Sequence, residues 1–328
     1  MADTERELIV LASPPDIDDY YEDVSKEIFD FHVAYAKAIL PYDDVLIFTN
    51  ETYYSDYVGE IGKGHVLKYP MEDIWMRDFA LSNSSAPVMF RYSAEGQGGG
   101  RKGQRDADAV QNRFARLMVK AGVDFTESDW LNDGGNFVDD YDGRAILSRK
   151  FLRDNKLSEE DGRAAIRNAT DAEHVAFIEA DEQGGLEHAD GVAAFIEPNV
   201  VVINSYPEDV PYADELKANL RAGLPDVTIH EITTPYDGSD IYDSRFGSAC
   251  GLYTNMLVTP RRIFFPQFGI PEDKLALAQM GDWTDKEIIP IQSSGVCHMG
   301  GGVRCMSWQL RGKNARALLG YVAAQNGG

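Results

Sequence analysis

Short runs of β-forming residues separated by clusters of turn formers predict four hairpins along the chain. In each pair, two runs rich in β-branched and aromatic residues flank a few residues such as Asn, Asp, Gly or Pro. The pairs are residues 79–82 with 87–92, 136–138 with 144–148, 191–196 with 200–204, and 253–258 with 262–266. They begin roughly 50 to 65 residues apart, and a regular spacing of this order is typical of internal repeats.

Helical patterns fill the intervals between the hairpins. The clearest covers residues 106–119, where apolar side chains at positions 110, 114, 117 and 118 share one face and charged residues occupy the other. An N-terminal strand–helix segment and a final strand over residues 301–306 bring the count to five α/β units. We therefore predict an α/β fold of one domain over residues 1–328, with five pseudo-symmetric units packed around a common centre. A mixed α/β sandwich with the same hairpins is the alternative.

The composition is that of a folded protein. Of 328 residues, 44% are hydrophobic and 26% charged, which excludes a disordered chain or a collagen-like repeat. No apolar run approaches the roughly 20 residues of a membrane span, and the first ten residues carry neither a basic leader nor an apolar stretch. Three cysteines are too few for a disulfide framework. We therefore expect a cytoplasmic protein with no membrane partner.

Charge narrows the class of partner. The chain has 54 acidic and 31 basic residues, for a formal net charge of −23. Such a surface repels phosphate backbones and attracts cations, so we expect a small cationic ligand and no nucleic-acid partner. A solvated acidic surface that only aids solubility is the alternative. A homo-oligomer is the default expectation for its assembly.

The most informative feature is a polar segment at the entrance to each hairpin and to the last strand. Five segments, here called the polar entrances, share it: residues 75–78 (WMRD), 131–136 (LNDGGN), 187–191 (EHADG), 253–255 (YTN) and 300–305 (GGGVRC). In a radial arrangement of five units, equivalent strand ends meet near the axis. The sequence therefore predicts one site that contains carboxylates, a histidine and a thiol.

Each of these residues also has an ordinary structural explanation. His188 could be a surface histidine, Asp78 a surface ion-pair partner, and Cys250 a small buried hydrophobic residue. Cys297 and the histidine after it, together with Cys305, suggest a metal site. Their spacing matches no common zinc pattern, so we expect neither a metal nor an organic cofactor. The three glycines before Cys305 would let a substrate approach its thiol closely, and a bulged turn into a buried strand is the alternative.

Together, the order and spacing of the motifs resemble the agmatine deiminase and bacterial, Porphyromonas-type peptidylarginine deiminase family of the guanidine-modifying (pentein) superfamily. The motifs are Trp-Met-Arg-Asp, Gly-Gly-Asn, His-x-Asp, Tyr-Thr-Asn and Gly-Gly-Gly-x-x-Cys, and they span about residues 72–309. The resemblance implies a five-unit α/β propeller. It also implies hydrolysis of a guanidinium group to a ureido product and ammonia through a covalent cysteine intermediate.

Matched residue by residue, the resemblance implies that Cys305 is the nucleophile and His188 the general acid and base. Asp78 and Asp190 would hold the substrate guanidinium. Three further residues would contact the substrate: Trp75, Asn255 and Asp133. Trp75 would pack along the aliphatic stem, and the Asp133 position is usually Glu in agmatine deiminases.

The Gly-rich residues 96–103 are predicted to form a functional or mobile loop. Basic residues at 101–105 stand where agmatine deiminases commonly have Trp-Gly-Gly. This departure favours a substrate that carries a carboxylate, which Arg101 would meet. A solvated basic loop is the alternative.

These residue types suit guanidinium chemistry. A guanidinium is a planar cation, and two carboxylates can fix its plane with paired hydrogen bonds in front of a thiol. A cysteine of ordinary pKa, about 8.5, is only a few per cent thiolate at neutral pH. Because the two carboxylates disfavour another anion, binding of the cationic substrate would help to form the thiolate.

The resemblance favours agmatine as the substrate, with N-carbamoylputrescine as the product and a place in polyamine biosynthesis. The basic loop favours arginine or peptidyl-arginine, with citrulline as the product. A protein that only binds cationic ligands and an amidinotransferase are the alternatives from other classes.

Overall fold

A computed structural model describes residues 6–16, 19–181 and 186–327; residues 1–5, part of the segment searched for a leader, lie outside them. The strands are β1 (Leu8–Ala12), β2 (Asp44–Thr49), β3 (Val66–Lys68), β4 (Val88–Arg91), β5 (Thr126–Leu131), β6 (Val138–Asp139), β7 (Arg144–Ser148), β8 (His174–Ile178), β9 (Ala193–Glu197), β10 (Val200–Asn204), β11 (Thr228–Ile232), β12 (Leu257–Val258), β13 (Arg262–Gln267), β14 (Glu287–Gln292) and β15 (Trp308–Leu310). The α-helices are α1 (Ser25–Ile39), α2 (Glu51–Ile61), α3 (Met76–Phe79), α4 (Gly100–Ala121), α5 (Lys150–Asn155), α6 (Glu159–Ala169), α7 (Val210–Gly223), α8 (Asp273–Trp283) and α9 (Gly312–Asn326). This mixture of elements confirms the predicted α/β class.

The chain divides into two compact units, one that runs to Glu127 and resumes at Cys305, and one that spans Ser128–Arg304. The first unit contains a four-stranded sheet in the order β15-β1-β2-β3. β1 pairs antiparallel with β15 and parallel with β2, and β3 adds parallel to β2. Every residue of β1 is buried, as expected for a parallel strand covered on both faces.

The core of the first unit forms beneath α4. The apolar face predicted at positions 110, 114, 117 and 118 is buried. Phe114 packs edge-on against Trp308 of β15, with 4.9 Å between ring centroids, and lies 6.0 Å from Phe79 of α3. α4 therefore joins the sheet to the short helix that carries the first polar entrance.

The second unit repeats one arrangement three times. β6 and β7, β9 and β10, and β12 and β13 are antiparallel pairs. In each case one or two helices follow, and the next strand returns parallel to the second strand of the pair. β15, β1 and β2 of the first unit show the same order of one antiparallel and one parallel neighbour.

Three of the four predicted hairpins are therefore confirmed. The hairpin predicted over residues 79–92 reduces to an isolated antiparallel bridge between Ser82 and Val88. Phe79 ends α3 instead of starting a strand, because its ring belongs to the core beneath α4.

The predicted final strand over residues 301–306 is wrong. Residues 303–306 form a turn, and the strand begins at Trp308. Gly300 has a φ of 99°, a conformation that glycine adopts without steric cost but that a regular strand does not contain. The consequence is that Cys305 lies in a turn before the strand.

A disulfide corrects the expectation from the cysteine count and the assignment of Cys250 as a buried hydrophobic residue. Cys250 is bonded to Cys297, with 4.8 Å between their Cα atoms and 47 residues between them in sequence. The Ala249 N–H donates to the Cys297 carbonyl at 2.8 Å, so the backbone aligns the two thiols. Disulfides are uncommon in a reducing cytoplasm, and the cysteine count therefore no longer supports a cytoplasmic location.

Within the described ranges, none of the helices combines the length and hydropathy needed to cross a bilayer.

Candidate active site

In the first unit, the polar entrance at residues 75–78 forms α3 and the residue before it. Asp78 is 6% exposed, and Trp75 is half-buried. The Asp78 N–H donates to the Trp75 carbonyl at 3.1 Å, which holds the two residues in one tight turn. A carboxylate buried in this way is suited to bind a cation, because burial strengthens its electrostatic interactions.

Cys305 lies in the turn before β15 and is 8% exposed. The Arg77 N–H donates to the Cys305 carbonyl at 3.1 Å, and Arg77 Nη2 donates to Gln309 Oε1 at 3.3 Å. These contacts attach α3 to the segment of the predicted nucleophile. Within this unit, the structure therefore brings together the segments that carry Asp78 and Cys305.

A second buried acid, Asp73, shapes the segment before Trp75. Its carboxylate accepts hydrogen bonds from Ile74 N–H at 2.7 Å, Tyr21 O–H at 2.8 Å and Gln97 Nε2 at 2.7 Å. Burial raises the pKa of Asp73, and the hydrogen bonds from Tyr21 and Gln97 oppose this effect. Asp73 thus connects the segment of Trp75 to the glycine-rich segment.

The glycine-rich segment is only partly the loop that the sequence predicted. α4 begins at Gly100, so Arg101 lies exposed in the first helical turn. Gly103 allows the helix to pack here, because a Cβ atom at this position would lie 2.9 Å from the Ala94 carbonyl and 2.8 Å from the Gln97 carbonyl. The predicted contact of Arg101 with a substrate carboxylate stays a prediction.

In the second unit, His188 and Asp133 form a buried pair. His188 Nε2 lies 3.1 Å from Asp133 Oδ2, and the two side chains are 8% and 2% exposed. An ionised carboxylate only accepts hydrogen bonds, so Nε2 carries the hydrogen that points to Asp133. The other ring nitrogen, Nδ1, takes no part in this contact. The contact therefore points to a role for Asp133 through His188, in addition to the substrate contact expected.

The backbone immediately before His188 is strained. Glu187 has a φ of 53°, a left-handed conformation that is unfavourable for a residue with a side chain and that is often found at functional sites. Its carboxylate forms an ion pair with Arg153 of α5. This ion pair is a side-chain contact of the residue directly before His188.

Asn136, the last residue of its polar entrance, positions both Asp133 and His188. Its Oδ1 accepts from the Ser148 N–H at 2.7 Å and the Ala189 N–H at 3.3 Å. Its Nδ2 donates to Asn132 Oδ1 at 3.1 Å. One buried amide therefore joins the segments on either side of the His188–Asp133 pair.

Asp190, predicted to hold the substrate guanidinium, forms an ion pair with an arginine of the chain. Arg304 Nε lies 3.2 Å from Asp190 Oδ2, and the two side chains are 9% and 2% exposed. Arg304 Nη2 also donates to the Phe137 carbonyl at 2.8 Å. The carboxylate is thus buried beside a guanidinium, the chemical group that it is predicted to bind.

Asn255 lies on the same framework. It is 4% exposed, and its carbonyl accepts from the Arg304 N–H at 3.2 Å. Its neighbour Thr254 donates to the Gly191 carbonyl at 3.1 Å. Hydrogen bonds or ion pairs therefore connect all four polar entrances that lie in the second unit, either directly or through Asn136 and Arg304.

Among the described residues, no three His, Cys, Asp or Glu side chains are placed to hold one metal ion. Cys297, which the metal alternative required, is bonded to Cys250 and therefore lacks the thiolate that a zinc ligand needs.

Sequence reasoning missed two residues that the structure places in the framework of the site. Arg304 lies within the motif that ends in Cys305, but the sequence analysis gave it no role. The signal that could have identified it is a basic residue directly before the predicted nucleophile. Asp73 is two residues before Trp75, and no local pattern distinguishes it from a surface acid. Its burial emerges only from the packing of Tyr21 and Gln97 around it.

Solved structures of other proteins share this fold. The agmatine deiminase of Enterococcus faecalis matches with a TM-score of 0.75 at 20% identity, covering 94% of this chain and 93% of that chain. DDAH from Pseudomonas aeruginosa matches with a TM-score of 0.52 at 15% identity, covering 93% and 100% of the two chains. At these identities the likeness shows a shared fold.

The family follows from the sequence match. The model of Porphyromonas-type peptidyl-arginine deiminases matches residues 2–310, and the chain therefore belongs to this family. A protein provisionally named agmatine deiminase, from Lactococcus lactis subsp. lactis strain IL1403, is 24% identical over 336 residues, which cover 90% of each chain. The resemblance identified from the motifs is confirmed.

Proposed function

We propose that this chain is a hydrolase that converts a guanidinium group to a ureido group and ammonia, with agmatine as its substrate and N-carbamoylputrescine as the product. The observation that carries the proposal is the buried His188–Asp133 pair, in a chain whose family match includes Cys305 and both predicted guanidinium-binding carboxylates. The family and a relative provisionally named agmatine deiminase support this chemistry.

The first part of the reaction is capture of a planar cation. Asp78 and Asp190 are both buried, and each can accept hydrogen bonds from the substrate guanidinium. Fixing the plane of the guanidinium places its central carbon for attack, and such positioning contributes several kcal/mol to catalysis. Trp75 and Asn255 would contact the remainder of the substrate.

The second part is covalent catalysis. The Cys305 thiolate attacks the guanidinium carbon, and a tetrahedral adduct forms. His188 then protonates the departing nitrogen, ammonia leaves and a thiouronium-type intermediate remains on the sulfur. The same imidazole takes a proton from water, which attacks the intermediate and releases the ureido product and the thiol. Asp133 stabilises the imidazolium at each transfer, because its carboxylate faces Nε2.

The arrangement of the site's residues is part of the proposal. We infer a single catalytic domain in which five α/β units surround a common axis, as the family resemblance implies, and in which the polar entrances serve one substrate. A cytoplasmic location and a homo-oligomer stay predictions.

Arginine and peptidyl-arginine are the second candidate substrates. Arg101 supports them, because an exposed cation in the first turn of α4 suits a carboxylate. Membership of the Porphyromonas-type peptidyl-arginine deiminase family also supports them. The chemical group that the substrate carries at the end opposite its guanidinium therefore needs a direct test.

The test is a substrate panel with the purified full chain. Agmatine, free arginine and an arginyl peptide are each incubated with the protein, and ureido product and ammonia are measured separately. We expect equal amounts of both from agmatine. An amidinotransferase would give a new guanidino compound with an added amine and no ammonia. A protein that only binds cations would show binding by calorimetry without either product, and that result would overturn the proposal.

A further inference from the structure

Arg304 connects its own polar entrance to two others of the second unit and to Phe137, the residue that follows a third. Its guanidinium contacts Asp190 and the Phe137 carbonyl, and its N–H donates to the Asn255 carbonyl at 3.2 Å. The residue is 7% exposed. A surface arginine would not make contacts in three directions, so Arg304 is built into the framework of the site.

The contact with Asp190 determines how that carboxylate can be used. Oδ2 is 3.2 Å from Arg304 Nε, so one edge of the carboxylate group faces the protein's own guanidinium. The arginine is in turn held by the backbone at Phe137. A rigid, planar guanidinium that is anchored at a second point restricts the rotation of the carboxylate.

Two roles are compatible with an arginine beside a substrate-binding carboxylate. Arg304 could block Asp190 by imitating the substrate, or it could orient Asp190 for the substrate. Blocking requires that the guanidinium leave on substrate binding, and its contacts with Asp190 and with the Phe137 carbonyl would then both have to break in a buried place. The anchoring of both its side chain and its backbone favours orientation.

We propose that Arg304 is a positioning residue that orients Asp190 and offsets part of its charge, so that the carboxylate binds the substrate guanidinium in one geometry. This inference rests on the proposed function, in which Asp190 holds the substrate. It assigns a role to the residue directly before the nucleophile. From this position the Arg304 side chain can orient the Asp190 carboxylate and takes no part in the reaction itself.

The experiment measures agmatine binding by calorimetry in a Cys305→Ser background, where turnover does not consume the ligand. Arg304→Met should weaken agmatine binding at least tenfold. Arg304→Lys should recover part of this loss, because lysine keeps the positive charge but lacks the fork of planar N–H donors of the guanidinium. Adding Arg304→Met to Asp190→Asn should weaken binding less than threefold further, since the arginine acts through the carboxylate.

Arg144→Met is the matched control, because Arg144 pairs with the buried Asp140 at the turn between β6 and β7. This variant should leave agmatine binding within twofold of the parent.

Several results would overturn the inference. Unchanged or tighter binding by the folded Arg304→Met chain would show that the arginine is neutral or blocking. Fully additive losses in the double variant would show that it acts independently of Asp190. If Arg304→Met does not fold by circular dichroism, then Arg304→Lys decides: binding equal to that of the parent contradicts the role of the fork. Failure of the proposed function looks different, because the parent chain would then release no ammonia from any guanidino substrate.

Discussion

His188 Nε2 lies 3.1 Å from Asp133 Oδ2, and both side chains are nearly excluded from water. Because an ionised Asp can only accept, Nε2 is the hydrogen-bond donor in this contact. In the proposed reaction, the carboxylate would also stabilise the imidazolium that forms when His188 takes a proton. An acid that the sequence placed among the substrate contacts therefore also contacts the histidine.

Replacing Asp133 by Asn should lower kcat by about 100-fold or more. The amide can present its NH2 group to Nε2, which favours the tautomer with the hydrogen on Nδ1, and it no longer stabilises the imidazolium. Asp133→Glu should retain more activity, because it keeps the carboxylate. Steady-state kinetics over pH 5 to 9 measure the effect, and a kcat within threefold of the parent for the Asn variant would contradict it.

Cys305→Ser should abolish turnover, with a loss of more than about 1,000-fold, because a hydroxyl is a far weaker nucleophile than a thiolate. The fold should persist, since Ser is nearly the same size and the segment is held by the Arg77 N–H on the backbone carbonyl. Ammonia release and urea unfolding are measured on the same preparation. Residual activity above a few per cent, with a normal unfolding midpoint, would remove Cys305 from the mechanism.

Breaking the disulfide should destabilise the protein. Cys250 and Cys297 are 47 residues apart, and the bond restricts the unfolded chain, so the Ser double variant should lose about 2 to 4 kcal/mol of unfolding free energy. Urea unfolding with and without dithiothreitol checks this. Reductant should destabilise the parent and leave the double variant unchanged; a parent chain insensitive to reductant would contradict a stabilising bond.

The stability of the first unit should fall in mild acid. Complete burial lowers the pKa of His32 from 6.5 to about 3, so its contribution is fully present above the unfolded pKa of about 6.5 and is lost as the pH falls from there toward 3. At pH 5 the loss should be about 2 kcal/mol relative to pH 8.

The measurement compares urea unfolding of the parent and of His32→Asn. The parent should lose more stability than the variant between pH 8 and pH 5, because only the parent carries the buried imidazole. Between pH 8 and pH 9 the difference between the two chains should stay constant. If the two chains lose the same unfolding free energy between pH 8 and pH 5, the imidazole of His32 does not determine the pH dependence of stability in this range.

Arg101→Ala tests the carboxylate end of the substrate. If Arg101 binds a carboxylate, then KM for arginine rises about tenfold and KM for agmatine changes less than twofold, since agmatine has no carboxylate. Lys120→Ala, exposed near the other end of α4, is the control and should change neither value. Equal changes for both substrates would assign Arg101 to the helix surface.

Local patterns were sufficient for much of the fold. The hairpins of the second unit were predictable because β-branched runs flanked turn formers over a few residues, and α4 was predictable because its buried face recurs with the helical period. The prediction of the final strand was wrong because residues 303–306 form a turn, and the contacts of Arg304 in this turn come from segments far away in sequence. The hairpin predicted over residues 79–92 was wrong because Phe79, an aromatic residue typical of strands, ends the short helix α3 and packs into the core.

The amino-acid sequence by itself determined the α/β class, the family, and the order of the residues that the chemistry needs. Only the tertiary structure decided their partners: Asp133 meets His188, Asp190 meets Arg304, and Cys250 meets Cys297. The physical reason is one of range. Propensity and hydrophobic period act over a few residues, whereas an ion pair or a disulfide depends on where packing brings segments that are far apart in the chain.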